Sequence, residues 1–441
     1  MTPRAGRLAA RVICAAVMAA PILVKSAPAV RSLKSIAVPK PSNFTQYVRD
    51  ERALVALGKA LFWDVQVSSD NRVACATCHF HAGADHRRQN MLSTAKDPVQ
   101  LNWNLAPGDF PFGINFMGAG HRTGSAGMYP RHLDHVSVDG APDAGVDRAG
   151  DSYPAIHGLN IRQVTKRNAP SVINAVYSFR SFWDGRASNI FSGWTPFGDA
   201  DPRAHVLVDS PGGLSKVALR IENASLASQA VGPPLDAGEM SYDGRTWPML
   251  GRRMLAARPL AQQRVAPDDS ALGVYAGAEL GLAPQHSYAS MIRAAFQPAY
   301  WRSESLVDDG GVSLGRRLRE PGGAGFYQIE YNFPLFFGLA IQTYESTLIS
   351  DDSPYDRYLD GERALTQTQL VGLEMFQRRA CASCHVDPEL TLATYSGVKG
   401  VPGFAPLGPE AGFFNTGVEP DRKSTRLNSS HVSESRMPSS A

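Results

Sequence analysis

Four cysteines of this 441-residue chain fall into two CxxCH groups, Cys75-Ala76-Thr77-Cys78-His79 and Cys381-Ala382-Ser383-Cys384-His385. Two thiols at this spacing can both reach one edge of a haem and form thioethers with its vinyl groups. The histidine that follows is then delivered beneath the iron as an axial ligand. A single such group could equally be a zinc or redox dithiol site. Two of them behind an export leader favour covalent haem, and with the four thiols so used no structural disulfide is expected. The fifth cysteine, Cys14, lies inside the leader.

The leader is residues 1–29: Arg4, Arg7 and Arg11, an apolar run from Val12 to Val24, then Ser26, Ala27, Pro28 and Ala29. This is the order of a signal peptide and predicts a periplasmic protein. An uncleaved anchor is the alternative, although the run falls short of the roughly 20 residues a spanning helix needs. The net charge of +3 falls to −1 without this leader, which holds four bases and no acid. No basic surplus is left to bind nucleic acid.

Elements that would position the cysteines are legible on their N-terminal sides. Leu54, Leu57, Leu61 and Phe62 recur at helical spacing before the first group, and Leu370, Leu373 and Phe376 before the second. Leu54-Val55-Ala56-Leu57 and Leu370-Val371-Gly372-Leu373 form a weak internal repeat, so two haem domains of similar build are expected. The run from Tyr331 to Ser350 is almost continuously apolar and reads as a buried helix. Between the haem groups, residues 81–160 are rich in Gly, Pro, Asp and His and read as a looped insertion. Most of its histidines His81, His86, His121, His132 and His135 are expected on the surface. Two further islands stand out. Residues 167–190, RNAPSVINAVYSFRSFWDGRASNI, predict a short apolar helix after Pro170 that ends in a Trp183-Asp184-Gly185-Arg186 turn. Residues 230–240, AVGPPLDAGEM, predict a loop stiffened by Gly and Pro that presents Glu239.

LGKALFWD before CATCH, then RNAPSVINA, FWDGRASN and GPPLDAGEM, then CASCH followed by FFNTG, resemble the bacterial dihaem cytochrome c peroxidase family. That family includes relatives that oxidise protein side chains in methylamine utilisation. The resemblance runs from about residue 50 to 418 and is tight only at these islands. It implies a mainly α protein of two cytochrome c-like haem domains with long loops and insertions. His79 would be the proximal iron ligand of a peroxide-reacting haem and His385 that of an electron-entry haem. Trp183 matches the tryptophan between the haems, against the alternative of a buried core aromatic. Asn168 matches a ligand of an interhaem calcium ion, against a cap of the following helix. Glu239 matches the distal acid that moves a proton between the two oxygens of peroxide, against a solvated loop residue. His157 is the candidate sixth ligand of the first iron, against a lone loop histidine. The resemblance further implies hydrogen peroxide as substrate, a small cytochrome c or cupredoxin as donor, and a homodimer as candidate assembly. Side-chain oxidation of a partner protein, and plain electron carriage, are the competing readings.

The expected organisation is a leader over 1–29, an N-terminal haem domain over 45–350 with the insertion 81–160, and the start of a C-terminal haem domain over 351–420. Residues 421–441 break the pattern: KSTRLNSSH resembles a translated sequencing-adaptor end, and the stretch reads as foreign, against the alternative of a native disordered tail. The family's distal ligand of the second haem, Met or in the side-chain-oxidising relatives Tyr, lies well downstream of CxxCH. With 56 residues after His385, the C-terminal domain is expected to be cut short.

Overall fold

The computed structural model of the chain describes residues 31–85, 91–93, 122–148, 155–156, 159–160, 162–165, 167–316, 318–320, 323–386, 388–400, 406–415 and 436–438. The leader, His86, His121, His157 and the C-terminal stretch apart from 436–438 lie outside them. Among the described residues there are eleven α-helices: α1 Phe44–Tyr47, α2 Glu51–Trp63, α3 Cys75–Cys78, α4 Ser225–Ala230, α5 Trp247–Ala256, α6 Tyr288–Ala295, α7 Gln328–Tyr331, α8 Phe333–Glu345, α9 Pro354–Leu359, α10 Gln367–Arg378 and α11 Tyr395–Lys399. The strands are short and pair in twos, with one three-stranded group in which Ser305–Val307 lies between Ser313–Arg316 and Phe326–Tyr327. Helices therefore make the core. No described helix is long and apolar enough to cross a membrane.

Helix α2 starts where Asp50 accepts the Ala53 N–H at 3.0 Å, a side-chain cap of one orphan donor. Its apolar stripe, Leu54, Leu57, Leu61 and Phe62, is fully buried. Helix α8 is buried on every side, so its polar groups need internal partners. Gln342 finds them on α4 and its approach, accepting the Ala227 N–H at 2.9 Å and donating to the Asn223 carbonyl at 2.8 Å. Helices α2 and α8 meet without a side chain between them at Gly58. A Cβ there would lie 1.9 Å from the Ala340 oxygen and 2.8 Å from Tyr344 Cβ. Alanine normally favours a helix over glycine by about 1 kcal/mol, but overpacking costs about 1–3 kcal/mol. Gly58→Val adds branching to that clash and is expected to lower stability by about 2 kcal/mol or more in urea denaturation. A neutral result would mean that the two helices are not in contact there.

Two expectations are corrected. The helix predicted after Pro170 is a single 3-10 turn, Ala175–Tyr177. Asn174 before it sits at φ +62°, and its backbone and side chain are spent on the chain beyond α8. Its N–H donates to the Leu348 carbonyl at 2.9 Å, and its amide oxygen accepts the Ser350 N–H at 2.7 Å. Groups committed to tertiary bonds cannot also form an i to i−4 ladder. The described part of the 81–160 insertion is not wholly looped either. Met91–Ser93 pairs with Arg122–Gly124, Arg131–His135 with Ala144–Asp147, and Ala155–Ile156 with Leu159–Asn160, all antiparallel. These strands are too short for a period-two pattern to stand out.

Candidate functional site

The two CxxCH groups have the same local build. Each sits on a tight turn after its helix: α3 itself for Cys75 and Cys78, and a 3-10 turn Ala380–Ser383 for the second pair. His79 Nδ1 is 2.7 Å from the Pro170 carbonyl, and His385 Nδ1 is 3.1 Å from the Leu390 carbonyl. A carbonyl only accepts, so Nδ1 carries a proton in each ring, and in the neutral ring it is Nε2 that has the lone pair to bind a metal. A phenylalanine from the preceding helix flanks each ring: Phe62 at 6.3 Å from His79 and Phe376 at 6.1 Å from His385. Burial lowers the pKa of His79 and so favours the neutral, ligating form. Paired thiols, a histidine whose Nδ1 is held by a backbone carbonyl and a phenylalanine from the preceding helix fit a covalent haem at both places.

Pro170 is a site residue the sequence reading passed over. RNAP was read for Asn168 alone, whereas its closest link to the site is a backbone carbonyl, which no side-chain pattern announces. The island lies along the first turn, with Asp85 N–H donating to the Ala169 carbonyl at 3.2 Å and Val172 N–H to Ala82 at 3.1 Å. Leu390 was missed for a similar reason: it reaches His385 from a left-handed φ of +57° that a leucine does not advertise. Asn168 is exposed, and no cluster of three or more His, Cys, Asp or Glu residues suited to a metal ion occurs among the described residues. His157 lies outside them. His81, His132 and His135 are exposed.

Trp183 is half-buried under the Arg167 guanidinium, 4.5 Å from its ring centroid. The turn carrying it faces the chain beyond the second CxxCH. Gly185, at φ +68°, leaves no room for a Cβ against the Phe413 ring. Phe179 N–H donates to the Ala393 carbonyl at 2.9 Å, and Asn189 bonds the Tyr395 hydroxyl at 2.5 Å. Residues 178–189 thus touch the first haem segment's RNAP island through Arg167 and the second's downstream chain directly.

The loop presenting Glu239 is held by its backbone. Ser69 N–H donates to the Met240 carbonyl at 3.0 Å, Met128 N–H to Gly238 at 3.3 Å, and Gln163 Nε2 to Ala237 at 2.8 Å. Within the loop, the N–H groups of Glu239, Met240 and Ser241 all converge on the Asp236 carbonyl at 3.1 Å. Arg245 adds a clamp from inside: one guanidinium nitrogen donates to the carbonyls of Val67 at 3.0 Å, Pro234 at 2.6 Å and Met240 at 3.1 Å. Val67 and Ser69 lie just before Cys75, so this loop is fastened to the segment that leads into the first CxxCH group. Glu239 itself is half-buried.

One further carboxyl lies near that segment. Glu345, the last residue of α8, is 2% exposed, and its Oε2 has no hydrogen-bond partner. Burial alone raises its pKa to about 8. Burial also raises the Cys75 thiol far above its ordinary value, and the Glu345 charge adds to that rise. Glu345 is therefore an electrostatic neighbour of Cys75.

A family model described as di-haem cytochrome c peroxidase matches residues 52–364. The chain is 48% identical over 48 residues to the cytochrome c551 peroxidase of Pseudomonas aeruginosa, covering 11% of this chain and 14% of that protein. It is 25% identical over 219 residues to the cytochrome c peroxidase Ccp of Escherichia coli K12, covering 49% of this chain and 26% of that one. The matches thus span about a quarter or less of these relatives' own length. Among solved structures, that of a MauG-like protein associated with microbial copper homeostasis covers 92% of this chain and 73% of its own, at 15% identity and a TM-score of 0.41.

Proposed function

Because this chain belongs to the di-haem cytochrome c peroxidase family, we propose that it is an exported, periplasmic enzyme that reduces hydrogen peroxide to water with electrons from a small cytochrome c or cupredoxin. The reading assigns one c-type haem to Cys75, Cys78 and His79 and a second to Cys381, Cys384 and His385, in an N-terminal domain over 45–350 and the start of a C-terminal one from 351. The observation that carries the division of labour is the fastening of the Glu239 loop to Val67 and Ser69, beside the first CxxCH. When bound at His79, haem supplies the iron at which peroxide is cleaved.

Around that iron the chain's own groups have separate tasks. Pro170 accepts from Nδ1 of His79, which leaves Nε2 as the nitrogen that would bind the iron. Glu239 takes a proton from one peroxide oxygen and returns it to the other, which then leaves as water. Trp183, on the turn that touches the downstream chain of the second group, relays electrons from the His385 side. A calcium ion held by the Asn168 amide oxygen belongs to the same reading.

The test begins with haem content. Two haems per chain by the pyridine haemochrome assay are expected, with steady oxidation of a reduced cytochrome c on adding peroxide. Cys75→Ser/Cys78→Ser should leave one haem and abolish turnover. Two intact haems with no turnover and no spectral response to peroxide would leave a plain electron carrier instead.

A further inference from the structure

Glu345 is used by no step above, and its placement is costly. A carboxyl buried to this degree normally has hydrogen-bond partners or a cation, and Oε2 has none. The ionisable groups on the elements packed against α8 do not supply one. Lys59 of α2 is paired with Asp269 at 2.6 Å. Arg253 of α5 is bound to Asp143, and Arg252 faces Glu330 of α7 at 4.0 Å. Helix α4 has no ionisable side chain, and the turn at Ala175–Tyr177 offers only Tyr177. The groups that register the Glu345 charge are Cys75 of α3 and Tyr344, its own neighbour, whose hydroxyl accepts from Trp63 at 3.1 Å.

What does lie beside Cys75, on the reading given above, is a haem. An oxidised haem iron carries one more positive charge than a reduced one. In a pocket from which water is excluded, that charge can offset an ionised carboxylate. Reduction removes the offset, and the buried carboxylate is then favoured only when protonated. We propose that Glu345 is the proton acceptor coupled to reduction of the haem held by Cys75, Cys78 and His79. As one electron arrives from the donor, the Glu345 carboxylate binds one proton from solvent, and it gives that proton up when the electron leaves. No bond to the iron is made or broken. With no compensating cation this carboxyl holds its proton up to about pH 8, so that value bounds the coupling window from above, and the charge of the oxidised haem sets the lower edge.

The inference rests on the haem assignment, and potentiometry of the holoprotein separates the two. At fixed potential the oxidised-to-reduced ratio of the first haem should shift close to tenfold per pH unit in the interval below pH ~8, which is about 59 mV for one electron, and level off above it. In Glu345→Gln, which keeps the shape and cannot ionise, that slope should flatten, while the second haem keeps its own pH response. An equal slope in both proteins, or a flat wild type, overturns the proposal. Should the variant not fold, wild type alone decides: reduction in weak buffer at pH ~7, below the reduced-state value, should take up most of one proton at the first haem, read with an indicator dye, and no uptake overturns the proposal. Absence of haem from Cys75 and Cys78 in the haemochrome assay would instead overturn the functional reading itself.

Discussion

Glu239→Gln is expected to lower the peroxide turnover number by about 10²–10⁴-fold, the usual range for loss of a positioned proton carrier, with both haems still attached. Glutamine keeps the size and hydrogen-bonding capacity of glutamate but cannot pick up a proton and hand it on. The loop should survive the change, because backbone groups hold it: the bonds from Ser69, Met128, Gln163 and Arg245 reach carbonyls of residues 234 to 240, none of which the substitution alters. Gly127 helps for the same reason, since a Cβ there would meet the Gly238 oxygen at 1.9 Å and lift the loop. The measurement is steady-state turnover at saturating donor, beside the haem spectra and thermal midpoint. A loss under about 10-fold with unchanged spectra would remove Glu239 from the proton path.

Which parts of this were legible in the sequence follows from where the information lies. Helices α2 and α10 are readable because apolar residues recur at helical spacing over about two turns, α8 because its run is almost continuously apolar, and the CxxCH groups because their chemistry is local. The carbonyls of Pro170 and Leu390 were not readable. They serve His79 and His385 through main-chain atoms that every residue has, and what selects them is the fold of the following chain. The short turn at Ala175–Tyr177 was misjudged because Asn174 looks like any helix-compatible residue until Leu348 and Ser350 claim its donors and acceptor. Glu345 stands near the polar end of the run from Tyr331 to Ser350, between Thr343-Tyr344 and Ser346-Thr347, where an acid looks like an ordinary helix end. Its significance lies in burial without a partner, which only coordinates reveal.

The insertion over 81–160 was likewise opaque, yet one of its residues holds the first haem segment in place. Asp143 is fully buried and accepts from both Arg245 and Arg253. Its own N–H donates to the Ser69 carbonyl at 2.7 Å. Arg253 grips the Gln66 carbonyl at 3.1 Å and also Asn71, while Arg245 holds Val67 and the Glu239 loop. Two guanidinium groups thus fix residues 66 to 71, directly before Cys75, and Asp143 is the anion they share. Burial pulls Arg245 below its ordinary pKa while Asp143 works against that, so the cation depends on its partner.

Asp143→Ala would leave both cations buried without a carboxylate, and breaking a buried pair in this way costs about 3–5 kcal/mol. The loss is expected in chemical denaturation of the holoprotein, together with a fall in turnover as the Glu239 loop loosens. Arg245→Met alone should also destabilise, but Asp143→Ala/Arg245→Met should be less destabilised than the two single changes added together, since one uncompensated charge is gone. Asp143→Asn keeps an acceptor for the Ser137 N–H and should fall between wild type and alanine. A cost for Asp143→Ala below about 1 kcal/mol would place the buried pair among those that stabilise nothing. The insertion would then be a surface addition, with no part in positioning the haem segment.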